Sequence, residues 1–278
     1  MKDKHKYSIS QLFNFAQDSY LERTSRPIYA IAFLLPFIVF YELGTIFINT
    51  DVLNQSQVRV VAFVWVQNFL EYLGFGSKLV WAAPPLAVVV ILTALQLASR
   101  KRWRFGFGDI WPMAVECILL AVPLIVLSLF LNSSSVTENS LSVTTAVNND
   151  KVIQQSLLAD IVTGMGAGIY EELIFRLILI CVLMLLFQDV LRLSRKNSII
   201  FSVLVSAALF SAHHHIVFLT GQLTISAPFN WTEFGFRTIA GVYFAVLFAI
   251  RGFGITAGTH AFYDIIATLI NAVFFPQQ

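Results

Sequence analysis

Long apolar runs separated by short charged segments recur at 27–49, 79–99, 110–132, about 153–190, 199–218, 232–250 and 254–275. Each is long enough to cross a hydrocarbon core, which takes roughly 20 helical residues. The pattern predicts an all-α, polytopic transmembrane helix bundle of seven spans, or eight if residues 59–76 also cross. That stretch carries Gln67, Asn68 and Glu71, and the distribution of basic residues argues against a crossing. Lys2, Lys4 and Lys6 open the chain, and Arg100-Lys101-Arg102-Trp103-Arg104 follows the 79–99 run. Both read as cytoplasmic, because loops on that side are enriched in Lys and Arg, so an even number of spans separates them.

The same pattern divides the chain. Residues 1–26 place Ile9, Leu12, Phe13, Phe15, Ala16 and Tyr20 among polar positions and read as a cytoplasmic interfacial helix. Residues 27–278 read as one transmembrane domain. The 110–132 run holds Pro112 and Pro123 as expected kinks, and 133–152 is polar and almost free of basic residues, as an exported loop would be. The run from 153 to 190 exceeds what one bilayer requires and ends at Arg192, Arg195 and Lys196, again on the basic side. Within it, Gly164-Met165-Gly166-Ala167-Gly168 marks a break or a close helix contact.

Composition strengthens this reading. The chain is 57% hydrophobic and 12% charged, with 26 phenylalanines and a mean hydropathy of +0.75, values that exclude a water-soluble single-core domain. The net charge of +2 says little about partners, and with no nucleic-acid stripe or acidic tail along the chain no nucleic acid is expected as one. Cys117 and Cys181 both fall in apolar runs and read as packing residues, not as a disulfide or a thiol nucleophile. The first apolar span is too long and too far along the chain for a cleavable signal.

Against this apolar background three polar clusters stand out. Tyr170-Glu171-Glu172-Leu173-Ile174-Phe175-Arg176 puts two carboxylates and a guanidinium inside an apolar run, where each ionised group costs roughly 2.5–3.5 kcal/mol on insertion scales, so the cluster marks a functional site. Glu172 and Arg176 share a helical face and pair, whereas Glu171 is turned roughly 100° away and stays available. Phe210-Ser211-Ala212-His213-His214 ends one run, and His260-Ala261-Phe262-Tyr263-Asp264 lies near the start of the last. His213 is placed to line a cavity beside His214, while His215 reads as an interfacial residue near the helix end. Glu42 and Glu116 are further intramembrane acids; Glu42 reads as a buried polar group bonded to a neighbouring helix, and either is able to shape a substrate groove.

Glu171-Glu172-x-x-x-Arg176, then Phe210-x-x-x-His214, then His260-x-x-x-Asp264 resembles the motif series of the CPBP family, also called ABI, the CAAX proteases and bacteriocin-processing enzymes that act as glutamic intramembrane endopeptidases. The resemblance covers about residues 155–275 and implies a catalytic core over about 153–278. Asp264 departs from it, standing where the family often has asparagine. By resemblance, Glu171 is the general base, His214 helps hold the water that Glu171 activates, and His260 with Asp264 serves the oxyanion side. An ionised Asp264 would repel an oxyanion, so it is expected to orient His260 by accepting from one ring nitrogen. Glu172, Arg176, Phe210 and His213 are supporting residues.

The implied activity is hydrolysis of a peptide bond in a membrane-associated peptide or protein, with the lipid bilayer as the medium and no cofactor. A zinc-dependent membrane protease is the rival chemistry, since Glu171, His214 and His260 supply ligand types common in catalytic zinc sites, although no His-Glu-x-x-His motif is present. A proton-coupled transporter or a non-catalytic membrane scaffold are the rivals from other classes. Short loops and the lack of organellar targeting point to a multi-pass protein of the bacterial inner membrane, with a cytoplasmic N-terminus. The site is then reached from within the outer half of the bilayer.

Overall fold

The structure is a computed structural model describing residues 15–16, 18–48, 59–75, 82–135, 149–219, 222–225 and 229–274, with side chains described except at 132–156 and 216–225. Most of the expected interfacial segment over 1–26 and of the expected exported loop lies outside the described residues. What is described of the former is a single helical turn, α1 (Tyr20–Thr24), capped by the Ser19 hydroxyl accepting from the Glu22 N–H.

Every apolar run becomes a helix: α2 (Pro27–Ile48), α4 (Ala83–Ser99), α5 (Ile110–Ser135), α6 (Asn149–Glu172), α8 (Arg195–Ala212), α9 (Trp231–Arg251) and α10 (Phe253–Phe274). Five stretches are long and apolar enough to cross a membrane, namely Pro27–Ile48, Phe107–Leu131, Leu157–Val190, Trp231–Arg251 and Phe253–Phe274. The other two expected spans are the 17-residue α4 and the 18-residue α8. Between α2 and α4, α3 (Val61–Tyr72) is a 12-residue helix, about 18 Å long and too short to cross a core of about 30 Å.

Two departures from a plain helical bundle matter for the site. Beyond Glu172 the chain widens into a π-helix over Leu173–Leu179, resumes as α7 (Ile180–Leu185), and widens again over Leu186–Val190. Such π turns free main-chain groups for other partners, and here the Ser206 hydroxyl of α8 donates to the Phe175 carbonyl at 2.6 Å. The second departure follows α8, which was expected to continue to about residue 218. It stops at Ala212, the chain turns through His213–His215, and β1 (Ile216–Leu219) pairs antiparallel with β2 (Gln222–Ile225). Three polar imidazoles in succession offer no apolar face for a helix to bury, so the helix ends beside the cavity that His213 and His214 line.

The most extensive contact among the described elements joins α6 to α10, and the glycine run explains it. A Cβ on Gly168 would lie 2.6 Å from the Ala261 nitrogen and 2.8 Å from the Ala257 carbonyl. One on Gly164 would lie 2.7 Å from the Cβ of Asp264. The two backbones therefore touch where the polar clusters lie. At the basic end Gly252, at φ +78°, makes the one-residue joint between α9 and α10. Arg251 beside it donates to the Leu21 carbonyl, the Thr24 hydroxyl and Glu116 at 2.8–2.9 Å, and the Tyr20 hydroxyl also donates to Glu116 at 2.8 Å. Glu116 thus pins the N-terminal turn to the bundle.

Replacing Gly168 with valine forces α6 and α10 apart. Overpacking of this kind costs about 1–3 kcal/mol, so the variant is expected to melt several degrees lower in detergent, with Gly235→Val, at a position with open space around it, close to the parent.

Candidate active site

The first polar cluster divides as its helical phase requires. Glu172 is wholly buried and turns to Arg176, whose Nε lies 3.1 Å from Glu172 Oε2. The Arg176 guanidinium is also wholly buried; Nη2 donates to the Gly241 carbonyl at 3.3 Å, and its plane lies 4.2 Å over the Phe210 ring. The other oxygen of Glu172 accepts from His260 Nδ1 at 2.7 Å. His260 stacks on Phe244 with centroids 4.5 Å apart, and its Nε2 lies 3.5 Å from Asp264 Oδ2 and 4.0 Å from Glu171 Oε2. Glu172 holds the shorter contact to this ring, at Nδ1, and the expected partner Asp264 lies at the other nitrogen, Nε2. The i,i+4 spacing brings Asp264 to the ring, but the Gly164 contact fixes where α10 sits, and that position hands Nδ1 to α6.

Glu171 faces the opposite way, toward the turn that ends α8. Its Oε1 lies 3.3 Å from His213 Nε2. The Phe210 carbonyl meets Nδ1 of both His213, at 2.5 Å, and His214, at 3.0 Å. A carbonyl only accepts, and has two lone pairs to do so, so both rings carry their proton on Nδ1. In the neutral form each then presents a lone pair at Nε2. Ligating atoms of Glu171, His213 and His214 all lie within 4.8 Å of one another. This cradle of acceptors suits a bound group with protons to donate, or a cation. Glu171, His213 and His214 are the residues placed to hold a zinc ion, while His260, expected in that set, turns Nδ1 to Glu172 and keeps Nε2 4.0 Å from Glu171 Oε2.

A cavity of about 480 Å³ opens from this cradle, walled by Asp160, Thr163, Gly164, Ala167 and Glu171 of α6, by Tyr263, Asp264, Ala267, Thr268 and Asn271 of α10, and by Arg59 to Val61 at the head of α3. Asp160 lies about 16 Å along α6 from Glu171, so the cavity runs from mid-bundle toward the end opposite Arg100–Arg104. A second hollow, about 490 Å³ and lined by Trp65, Ile174, Phe175, Ile178, Leu179, Val182, Leu209 and Ala212, reaches His213 from the outer surface of the bundle. The two share His213 as a wall.

The structure thus brings Glu171, His213, His214 and Asp264 to one cavity and sets His260, Glu172, Arg176 and Phe210 behind it. His215 is buried, not interfacial, and packs on Phe229 and Phe234. Glu42 pairs with Arg59 at 2.9 Å, and Arg59 is the wall residue that sequence reasoning missed; its signal was a lone cation at the edge of an apolar run. Residues 153–266 match the family model for type II CAAX prenyl endopeptidases, Rce1-like. Neither the curated proteins nor the solved structures contain a match to the chain.

Glu172→Ala would leave Arg176 buried without its counter-charge, a loss that costs about 3–5 kcal/mol. The variant is expected to unfold well below the parent in a detergent melt, and Glu172→Ala combined with Arg176→Met to recover part of the difference.

Proposed function

We propose that this integral membrane protein, whose residues 153–266 match the Rce1-like family model, hydrolyses a peptide bond in a membrane-anchored peptide, using a water activated by Glu171. The cradle carries the proposal. A water between Glu171 and the two Nε2 lone pairs gives its protons to acceptors and turns its own lone pair toward the cavity, as a nucleophile must. Glu171 is the only one of the three acceptors bearing a full negative charge, which makes it the general base. Low accessibility keeps competing water out and strengthens each contact.

The oxyanion that forms needs donors. His260, with Nδ1 fixed by Glu172 and Nε2 4.0 Å from Glu171 Oε2, donates to it from behind the cavity wall when Nε2 carries a proton. Because Glu172 already sets the ring, the Asp264 charge has no orienting task left. The apolar hollow at His213 suits the hydrocarbon anchor of a prenylated or otherwise lipidated tail, and the polar cavity suits its peptide.

The rival zinc chemistry has one observation in its favour, the same three-ligand cradle. Basic residues gather at one end of the bundle, at Arg23, Arg26, Arg100–Arg104, Arg192–Lys196 and Arg251, which favours a cytoplasmic placement of that end and of the N-terminus. The cavity then opens toward the outer half of an inner membrane. A reporter fused after α10 is expected outside, and a cytoplasmic reading there would reverse the orientation.

General-base catalysis contributes about 10²–10⁴-fold, so Glu171→Gln is expected to lose at least a hundredfold in activity at an unchanged melting temperature. Comparing membrane-protein termini in cells expressing the parent and this variant names the substrate; identical termini would sink the protease reading. Chelation is expected to leave activity intact, whereas a loss restored by added zinc would assign the cradle to a metal. Asp264→Asn, measured on the substrate so found, is expected to match or exceed the parent, since an amide donates to an oxyanion where a carboxylate repels it.

A further inference from the structure

Far from the active-site cavity, Arg23, Arg26, Arg100, Lys101, Arg102 and Arg104 stand where α2 begins, α4 ends and α5 begins. The acids beside them are already engaged. Arg23 forks onto Asp109 with both contacts at 2.9 Å, Arg26 pairs with Asp18 at 2.9 Å and also with Glu22, and Lys101 lies 3.2 Å from Glu22. Arg100, Arg102 and Arg104 are in surplus. All three are exposed, and among the described residues their one ion pair is a loose contact of Arg102 with Asp18 at 3.6 Å. The backbone that carries them is nevertheless pinned at both ends. Arg100, at φ +53°, turns the chain out of α4, and the Lys101 carbonyl accepts from Nε2 of the wholly buried Gln96 at 3.1 Å. Further on, the Gly106 N–H donates to the Tyr29 hydroxyl at 3.1 Å, and Phe105 packs on the Tyr29 ring with centroids 5.0 Å apart.

Arg102 and Arg104 converge on one place. The Arg26 bond, with Arg102 and Arg104 near it, holds the Asp18 carboxyl below the usual carboxylate range. One half-exposed carboxylate is thus shared among three guanidinium groups and leaves net positive charge around it. Its depth follows from the neighbours. Trp103, Phe107 and Trp111 are all exposed here, and exposed aromatics where spans end mark the headgroup level of a bilayer. Leu97 and Trp111, at the adjoining ends of α4 and α5, are exposed as well and offer acyl chains an apolar surface. We propose that Arg102 and Arg104, backed by Arg100, hold the headgroup of an anionic phospholipid in the leaflet at this end of the bundle. Guanidinium groups match phosphate oxygens with planar, charge-assisted bonds. Asp18 stands at the same place and opposes the phosphate, so it lowers the affinity of the site. The site is independent of the reaction proposed for the cavity.

The test is native mass spectrometry of the full chain, purified in detergent and offered equimolar phosphatidylglycerol and phosphatidylcholine with identical acyl chains. Since basic side chains at the surface attract anionic headgroups, the parent is expected to retain phosphatidylglycerol about tenfold or more over phosphatidylcholine. The triple variant Arg100→Gln, Arg102→Gln, Arg104→Gln is expected to bring that ratio to about two or below, the remainder coming from the other basic residues. If the triple variant fails to fold, Arg102→Gln with Arg104→Gln, which keeps the turn at Arg100, carries the same expectation. Asp18→Asn is expected to raise the ratio at least about twofold by removing the opposing charge, while Asp189→Asn, an exposed acid on another element, leaves it unchanged. Arg192→Gln with Lys196→Gln, exposed cations that follow the second π turn, is expected to keep the parent ratio. Equal retention of the two lipids by the parent would overturn the proposal. So would an equal loss in the Arg192, Lys196 variant, which would make the preference one of diffuse charge. Displacement of the lipid by millimolar inorganic phosphate or by an acidic peptide would assign the arginines to a soluble anion and overturn it too.

Discussion

A guanidinium with no access to solvent has to be neutralised where it stands, and the buried charge of Arg176 organises much of this protein. Glu172 supplies the counter-charge from one turn before it, the Gly241 carbonyl takes one donor, and the Phe210 and Phe244 rings offer their faces. These partners come from three helices, so neutralising one charge ties α6, α8 and α9 together. Glu172 then has a second oxygen to satisfy, and His260 of α10 satisfies it. A chain of buried polar contacts thus passes from the structural pair to the chemical one.

That chain separates two neighbouring carboxylates by task. Glu172 looks inward and is saturated by a guanidinium and an imidazole, while Glu171 looks toward the cavity and meets lone pairs of its own sign. A carboxylate facing acceptors is poised to take a proton from whatever lies between. The Phe210 carbonyl makes this possible at a distance, since accepting from Nδ1 of both His213 and His214 fixes which nitrogen each ring turns to the site. The π-helical stretch after Glu172 serves the same end, because the carbonyl it frees at Phe175 anchors α8 through Ser206 and sets the height at which those histidines leave the helix.

Packing and chemistry meet again at the glycines of α6. Gly164 and Gly168 let α10 approach until its backbone touches, and only at that distance does Asp264 reach the cavity and His260 reach Glu172. The apolar hollow and the polar cavity meet at His213, so the bundle holds an apolar and a polar room with a shared wall. Arg59, held by Glu42 and Phe63, lines the polar room beside Tyr41, which packs on Gly166.

Hydropathy and charge by themselves determined the membrane class, the five long apolar helices and the shorter α4, the basic end, and the three polar clusters, because each depends on solvation of a local stretch in which a charge or a break in an apolar run is conspicuous. The same reasoning kept residues 59–76 from crossing, in accord with the short α3. Pairing across helices was not local in this sense. That Glu172 takes His260, that His213 and not His260 joins Glu171 and His214, that His215 is buried, and that α8 stops early all depend on how closely α6 and α10 pack and on where the end of α8 meets them. Spacing along one helix gives the face a side chain occupies; the ångströms between helices, set here by two glycines and a π turn, decide which partner it finds.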